Sequence, residues 1–328
     1  MRSLLALRRH MLKMGLAASV APAAARAQGK WPPASITWIN PFPAGGGTDV
    51  FARPLAAQVG EQLGCQIVID NRGGAGGTVG ASQAAKMKPD GSVFFVGAVH
   101  HAIAPSVYKQ LDYDIEKDFV PITMIASVPQ VISINPNRLP VKTVAELIAH
   151  VRANPGKVNF ASSGIGTAHH LSGELFKMET RTEMTHVPYR GAGPAMQDLL
   201  AGNVDMMFDA MGTSASQIRA GRLVGLALAT PARSAEFPDI PTSTEVGLPY
   251  WIVSTWYGLW AIKGTPQPIV DRMYAEIAKA MSLPKLQTIW KEQAAELGGE
   301  TPAQFTRRIR TEIEKWQKVV DAAGVKLD

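Results

Sequence analysis

Cysteine and charged side chains are both scarce in this chain of 328 residues. The single cysteine, Cys65, excludes an internal disulfide and any metal site built on cysteines, and we expect it to pack as a small core residue. Charged residues make up 18% of the chain and hydrophobic residues 46%, a composition that predicts folded domains and excludes a disordered chain. No apolar run reaches the roughly 18 residues of a membrane-spanning helix. The length is sufficient for two domains.

Acidic residues are absent from the first 27 positions. This segment carries five basic residues, namely Arg2, Arg8, Arg9, Lys13 and Arg26. A basic start, a weakly apolar middle and small residues at 25–27 are typical of a secretory signal peptide. The adjacent arginines also resemble the twin-arginine export signal, and a general secretory signal is the alternative. We therefore predict export to a bacterial periplasm, with a mature chain that begins near Gln28.

Nucleic-acid and nucleotide signatures are missing from the mature chain. Without the signal segment, the chain has 28 basic and 27 acidic residues and a net charge near +1. We therefore expect no basic surface for a nucleic acid. No phosphate-binding loop, dinucleotide fingerprint, nucleophile elbow or H-E-x-x-H zinc motif occurs. The sequence therefore predicts no cofactor, no metal and no marked catalytic nucleophile.

Short β-rich runs alternate with helical segments along the mature chain, which predicts parallel sheets with helices on both faces. In the first third we expect strands at 36–39, 66–70 and 93–99, with helices at 50–63 and 79–87. The first helix has Thr48 or Asp49 as its predicted N-cap. Further on, the predicted strands are 158–161, 184–187, 204–208 and 223–229. The helices predicted after residue 140 are one opened by a capping box at Thr143 and those at 170–178, 194–200, 267–281, 284–293 and 302–323.

Two segments read as strands that cross between domains. Residues 119–134 form a long, interrupted β-rich run, and residues 254–262 would carry the chain back. We therefore predict a signal peptide at 1–27, a first domain at 28–129 and 251–328, and a second domain at 130–250.

Glycines stand beside hydroxyl residues in three loops that lead from a strand into a helix, at 45–48, 73–78 and 162–167. A helix N-terminus offers unpaired N–H groups and partial positive charge, and glycine lets a ligand approach them. Such loops can hold a carboxylate or phosphate without a fixed cation. The alternative is that these glycines only make tight turns.

Histidine and aspartate supply the other candidates for a binding site. His100 and His101 follow a predicted buried strand, so one of the two is a candidate to face a ligand, and the alternative is a packed or solvated side chain. Asp209 lies at the predicted carboxyl end of a strand, where ligands of α/β sheets bind. It could orient a water, bind a ligand amine or cap the helix that follows Thr213.

Several motifs occur together in an order and spacing that resemble one family. They stand at residues 41–49, 71–77, 111–114, 117–119, 163–167, 187–191, 199–205, 256–259 and 264–266. From about residue 34 onward the chain resembles the Bug family of extracytoplasmic solute receptors, the binding proteins of tripartite tricarboxylate transporters.

The resemblance implies a type II periplasmic-binding-protein fold, with two Rossmann-like α/β domains, two crossing strands and a central cleft. It implies a monomeric receptor without enzymatic activity that passes a small carboxylate (a mono- or dicarboxylate, an aromatic acid or an amino acid) to membrane permease subunits. The positions that match the family's ligand-binding segments are Phe42, Ala44, Gly45, Gly46, Ser163, Gly166, Thr167 and Asp209. The Thr167 hydroxyl would be donated to the ligand carboxylate.

His100 departs from the small Ser or Thr of many relatives, so we expect it to contact the far end of the ligand. Two other functions remain open at this point. One is a hydrolase or lyase that acts on a small organic acid, and the other is a receptor that signals to a sensor.

Overall fold

The computed structural model describes residues 31–325, so the predicted signal segment at 1–27 lies outside the described residues. The first part of the described chain alternates strands and helices, in the order β1 (Ser35–Asn40), α1 (Gly47–Leu63), β2 (Gln66–Asn71), α2 (Thr78–Ala85), β3 (Val93–Ala98) and α3 (His100–Val107). β1 lies between β2 and β3 and pairs with both in parallel. The three strands expected here are confirmed, whereas α3 has no counterpart among the predicted helices.

The middle of the chain builds a second set of strands and helices. Its elements are β4 (Phe119–Ile134), α4 (Val144–Ala153), β5 (Asn159–Ser162), α5 (Ala168–Thr180), β6 (Thr185–Pro188), α6 (Ala192–Ala201), β7 (Met206–Ala210), α7 (Met211–Arg219) and β8 (Val224–Leu228). β5 pairs in parallel with β6 and β7. β4 pairs with β7 and β8 in antiparallel fashion, so the sheet is mixed, whereas the alternating pattern predicts parallel strands alone.

The last part of the chain returns to the first sheet. Its elements are β9 (Ser254–Ile262), α8 (Gln267–Met281), α9 (Pro284–Lys291), β10 (Glu296–Leu297) and α10 (Pro302–Ala323). β9 inserts between β3 and β4 and is antiparallel to both. On the far side, α10 packs Phe305 against Trp256 and Trp260 of β9, which anchors the C-terminal helix on the first domain.

β4 is one strand of 16 residues that belongs to both domains. Its residues 119–129 pair with β9, and residues 130–134 pair with β7. The strand order β2-β1-β3-β9-β4-β7-β5-β6 therefore changes domain within β4, between Pro129 and Gln130. The predicted boundary between the domains falls at this change of partner, and on this ground we propose it.

Three local expectations are corrected by the structure. α1 begins at Gly47 with Gly46 as its N-cap, so neither Thr48 nor Asp49 is the cap. β7 runs two residues further than expected and places Asp209 inside the strand, while α7 begins at Met211, ahead of Thr213. At α4, Thr143 accepts a bond from the N–H of Glu146, but the Glu146 carboxylate bonds the N–H of Lys142, so only half of the capping box forms.

The core consists of large aromatic and aliphatic side chains that the two sheets and their helices enclose. Six tryptophans are fully buried, namely Trp38, Trp251, Trp256, Trp260, Trp290 and Trp316. Cys65 packs at the edge of this core, where burial raises the pKa of its thiol. No helix within residues 31–325 combines the length and the apolar character that a membrane crossing requires.

Candidate functional site

A small cavity lies where the two domains meet. Nine residues line it: Phe42, Gly46, Gly47, Thr48, His100 and Tyr257 from the first domain, and Ser163, His169 and Ala192 from the second. Its volume is about 10 Å³, roughly the room of a single water molecule. A larger solute therefore requires the walls of this cleft to move apart.

Helix N-termini converge on the cavity from both domains. Gly47 and Thr48 belong to the first turn of α1, Ala192 is the first residue of α6, and His100 is the first residue of α3. The first N–H groups of a helix have no partner within the helix and carry partial positive charge. No lysine or arginine lines the cavity in the described part of the chain. The arrangement suits an anion held by backbone donors.

A larger groove of about 410 Å³ lies elsewhere along the two crossing strands. Its walls include Pro129, Glu236, Ile252 and Lys291, and none of the residues that the sequence predicts for the site. The cavity at the helix ends is therefore the better candidate, despite its smaller volume.

Asp49 holds the glycine-rich loop before α1 in shape. Its carboxylate accepts bonds from the Gly45 N–H at 3.1 Å, from Arg53 Nε at 2.7 Å and from the Asn71 amide at 3.3 Å. Burial alone would raise the pKa of Asp49, but the bonds from Arg53, Gly45 and Asn71 together lower it. The carboxylate therefore stays charged and fixes the direction in which the loop presents α1.

Four of the residues predicted for the site line the cavity, and five do not. The four that line it are Phe42, Gly46, His100 and Ser163. Ala44 is exposed. The Gly45 N–H is donated to Asp49, and the Gly166 N–H to His170 Nδ1 at 3.2 Å, so both donors already have partners. Thr167 and Asp209 are buried outside the lining.

The Thr167 hydroxyl serves as the N-cap of α5. It donates to the carbonyl of Gly164 at 2.7 Å and accepts from the N–H of His170 at 3.5 Å. The expectation that this hydroxyl is donated to a ligand is therefore corrected, because its one proton already has an acceptor. The residue orders the loop and does not reach into the cavity.

Replacing Thr167 with valine should lower the free energy of unfolding by about 0.5–2 kcal/mol, as expected for the loss of an N-cap. Urea denaturation measures this change. Thr167→Ser retains the hydroxyl and should stay close to the wild-type stability. Equal stability of the valine and serine variants would contradict the capping role.

Asp209 lies behind His169, away from the cavity. One carboxylate oxygen accepts bonds from the hydroxyls of Thr213 and Ser214 in α7, and the other lies 3.8 Å from His169 Nδ1 without a hydrogen bond partner in the described chain. Burial raises the pKa of Asp209 to about 6 and lowers that of His169 to about 3. Of the three roles considered for Asp209, the contacts favour ordering the start of the following helix.

The two adjacent histidines have different surroundings. His101 packs edge-on against Phe95, and its ring nitrogens lie within hydrogen-bond distance of Ala98 and Gly77. Burial lowers the pKa of His101 to about 4. His100 instead lines the cavity, with its ring 5.4 Å from Phe42 and 5.6 Å from His169. Only His100 is therefore placed to meet a ligand.

Sequence reasoning missed three residues that line the cavity, namely His169, Ala192 and Tyr257, whereas Gly47 and Thr48 belong to the predicted loop at 45–48. A usable signal existed at Ala192, because glycines flank it immediately before a helix, as in the three loops singled out above. Gly193 lies so close to the first loop that a β-carbon on it would be 2.8 Å from the Ala44 carbonyl. The start of α6 thus faces the start of α1 across the cleft.

A serine–histidine contact bears on the enzyme alternative. Ser162 Oγ lies 2.6 Å from His186 Nε2, but Ser162 is fully buried and outside the cavity lining, and its hydroxyl also contacts the N–H and carbonyl of Gly164. Burial lowers the pKa of His186 to about 3, with His170 next in effect. A base this weak is poorly matched to neutral pH. The contact orders the loop before α5.

Comparison with known proteins identifies the fold and the family. Residues 51–325 match the profile described as tripartite tricarboxylate transporter family receptor. The chain belongs to this receptor family. The predicted resemblance and the type II periplasmic-binding-protein fold are thereby confirmed, and the receptor has two α/β domains around a cleft.

Three solved structures are similar to the receptor over nearly its whole length. Periplasmic binding protein BugD is 34% identical, with a TM-score of 0.87, over 90% of this chain and 99% of BugD. Rpa4515 of R. palustris, solved with adipate, is 37% identical, with a TM-score of 0.86, over 90% and 98%. MatC of Rhodopseudomonas palustris, with bound malate, is 32% identical, with a TM-score of 0.84, over 88% and 100%.

Proposed function

We propose that the receptor captures a small carboxylate in the cleft between its domains and delivers it to the permease subunits of a tripartite tricarboxylate transporter. The observation that carries this proposal is the convergence of the starts of α1 and α6 on a cavity lined by no lysine or arginine in the described chain. Charge-assisted bonds of this kind are worth roughly 1.5–3 kcal/mol each. The acids named for Rpa4515 and MatC, adipate and malate, support the same ligand class.

The proposal places the bound carboxylate between Gly46 and Ala192, with Phe42 and Ser163 beside it and His100 toward its far end. The other five predicted residues do not contact the solute and instead order the loops around it, namely Ala44, Gly45, Gly166, Thr167 and Asp209. The solute enters when the domains separate about the crossing strands β4 and β9, and the closed form then docks on the permease. We place the mature receptor in the periplasm, and we propose that it has no catalytic role.

Thermal unfolding with a panel of solutes tests the proposal. Malate, succinate, adipate, glutamate and benzoate form the acid arm, and glucose and adipamide, the uncharged diamide of adipate, form the neutral arm. At least one acid should raise the melting temperature in proportion to the logarithm of its concentration, because a ligand of the folded state stabilises by about 2.7 kcal/mol at 100 times Kd. Adipamide should have no effect.

Stabilisation by neutral solutes alone would reject the anion site. The acid that binds should also be recovered unchanged after prolonged incubation with the receptor, as measured by proton NMR. Conversion of that acid above the rate in buffer would reject the non-catalytic role and favour the hydrolase or lyase alternative.

A further inference from the structure

His100 makes a hydrogen bond that crosses the cleft. The residue belongs to the first domain, at the start of α3, and its Nδ1 accepts the backbone N–H of Ala168 at 3.0 Å. Ala168 is the first residue of α5 in the second domain, and its N–H is one of the donors that a helix leaves without a partner. Because the two groups belong to different domains, this bond exists only while the cleft is closed.

The bond across the cleft also decides where the His100 proton lies. A ring nitrogen that accepts an N–H carries no proton, so the neutral ring carries its proton on Nε2. Burial, with His169 and then His101 nearby, holds the pKa of His100 well below its ordinary value, which keeps the ring neutral. In the closed receptor His100 therefore has one defined tautomer, with Nε2–H as a donor.

The Nε2–H group has no hydrogen-bond partner among residues 31–325. The one hydrogen bond of the His100 side chain within these residues is the bond from Ala168. The side chain is about 5% exposed and lines the cavity. A solute in the cavity can supply the acceptor that this donor lacks among the described residues.

We propose that His100 couples closure of the cleft to recognition of the solute's far end. Closure sets the tautomer through Ala168, and the Nε2–H then donates to an oxygen at the end of the solute opposite the bound carboxylate. The ligand class becomes an acid whose far end carries an oxygen acceptor, as in a dicarboxylate, and not an alkyl or ammonium end. This inference rests on the proposed function, because it assumes that the first carboxylate occupies the helix ends.

Two ligand series measure the preference for the far end. The six-carbon series is adipate, hexanoate and 6-aminohexanoate, and the four-carbon series is succinate, butanoate and 4-aminobutanoate. Within each series the carboxylate end is constant and only the far end changes. Titration calorimetry should show the diacid binding about tenfold to a hundredfold more tightly than the alkyl or ammonium acid in the series that fits, as expected for one charge-assisted bond.

Variants of His100 separate its two hydrogen bonds. His100→Asn keeps an acceptor near the position of Nδ1 and removes the Nε2 donor. It should close normally but bind the diacid and the alkyl acid equally. His100→Gln offers an amide donor near the position of Nε2 without the Nδ1 acceptor. It should retain part of the preference and close less completely, as seen from the radius of gyration in small-angle X-ray scattering with saturating diacid.

His150→Asn, in α4 away from the cavity, is the matched control and should behave as wild type. Nitrogen-15 NMR of the histidine rings in wild-type receptor saturated with the diacid should show His100 Nδ1 without a proton, a readout that needs no variant. A protonated Nδ1, or an undiminished diacid preference in His100→Asn, overturns this inference and leaves the proposed function standing. Failure of every acid in both series, and also of malate, glutamate and benzoate, to bind wild type overturns both.

Discussion

Replacing Gly46 with valine should abolish solute binding while the receptor stays folded. The φ angle of Gly46 is −81°, which any residue adopts, so valine introduces no backbone strain. A β-carbon there would point across the cleft, 3.8 Å from the Gly193 nitrogen and 4.0 Å from the Ala192 nitrogen. The two methyl groups of valine extend further into this gap and cover the N–H groups at the start of α6. The loss of two charge-assisted bonds should raise Kd by more than a hundredfold.

Titration calorimetry with adipate and malate measures this loss, and circular dichroism checks the fold. Gly46→Ala should have a smaller effect, because a lone β-carbon makes only ordinary van der Waals contacts. Ala57→Val adds the same methyl groups to the exposed face of α1 and should bind as wild type. Normal affinity in Gly46→Val would place the solute somewhere other than between α1 and α6.

Acidification below pH 6.5 should destabilise the receptor steeply. Burial lowers the pKa of His101 and His170 to about 4 and that of His169 and His186 to about 3. It also holds the pKa of His100 well below 6.5. Between these pH values the histidines are protonated in the unfolded chain and neutral in the folded chain. The free energy of unfolding therefore falls as pH drops from 6.5 toward 4. Each histidine contributes up to about 1.4 kcal/mol per pH unit.

Asp209 changes the free energy of unfolding with pH in the opposite direction. Its pKa is raised to about 6 in the folded state from 3.8, so the folded receptor takes up this proton first. The stabilisation from that proton is complete below pH 3.8 and is lost as pH rises through 6. One aspartate offsets only part of the effect of five histidines. Since typical stabilities are 5–15 kcal/mol, unfolding should follow within a few pH units.

Urea denaturation between pH 8 and pH 4.5 checks the slope. His169→Asn removes one group whose pKa differs between the folded and unfolded states. The free energy of unfolding of this variant should therefore fall less steeply with acid, by up to about 1.4 kcal/mol per pH unit. A wild-type stability that does not change over this range would contradict the burial of neutral histidines.

Clear local signals made several elements predictable from the sequence. α10 begins and ends as expected, because Thr301 forms a complete capping box with Gln304 and Gly324 ends the helix in a left-handed conformation. β9 matches the predicted 254–262 end to end. α3 was missed because Val99, at its N-cap position, provides no side-chain cap. Without a start signal, the short helix was indistinguishable from the end of the preceding strand.

Only about half of the site was predictable, because a local sequence motif does not show which group each of its residues hydrogen-bonds. A threonine that caps a helix and a threonine that binds a ligand look alike in sequence, and Thr167 is the first kind here. The Gly45 N–H looks free until Asp49 is seen to accept it. Tyr257 reaches the cavity because β9 inserts between β3 and β4, and a local stretch of sequence does not show this strand order.

The place of β9 in the first sheet also bears on the order in which the chain is made. β9 lies between β3 and β4, yet it begins at Ser254, long after β4 ends at Ile134. During synthesis β3 and β4 therefore present open edges until residue 262 has emerged, whereas β5 to β8 are all available earlier. The second domain can be completed while the first still lacks a central strand. Any chain that stops before Ser254 carries unpaired strand edges, which are prone to aggregate.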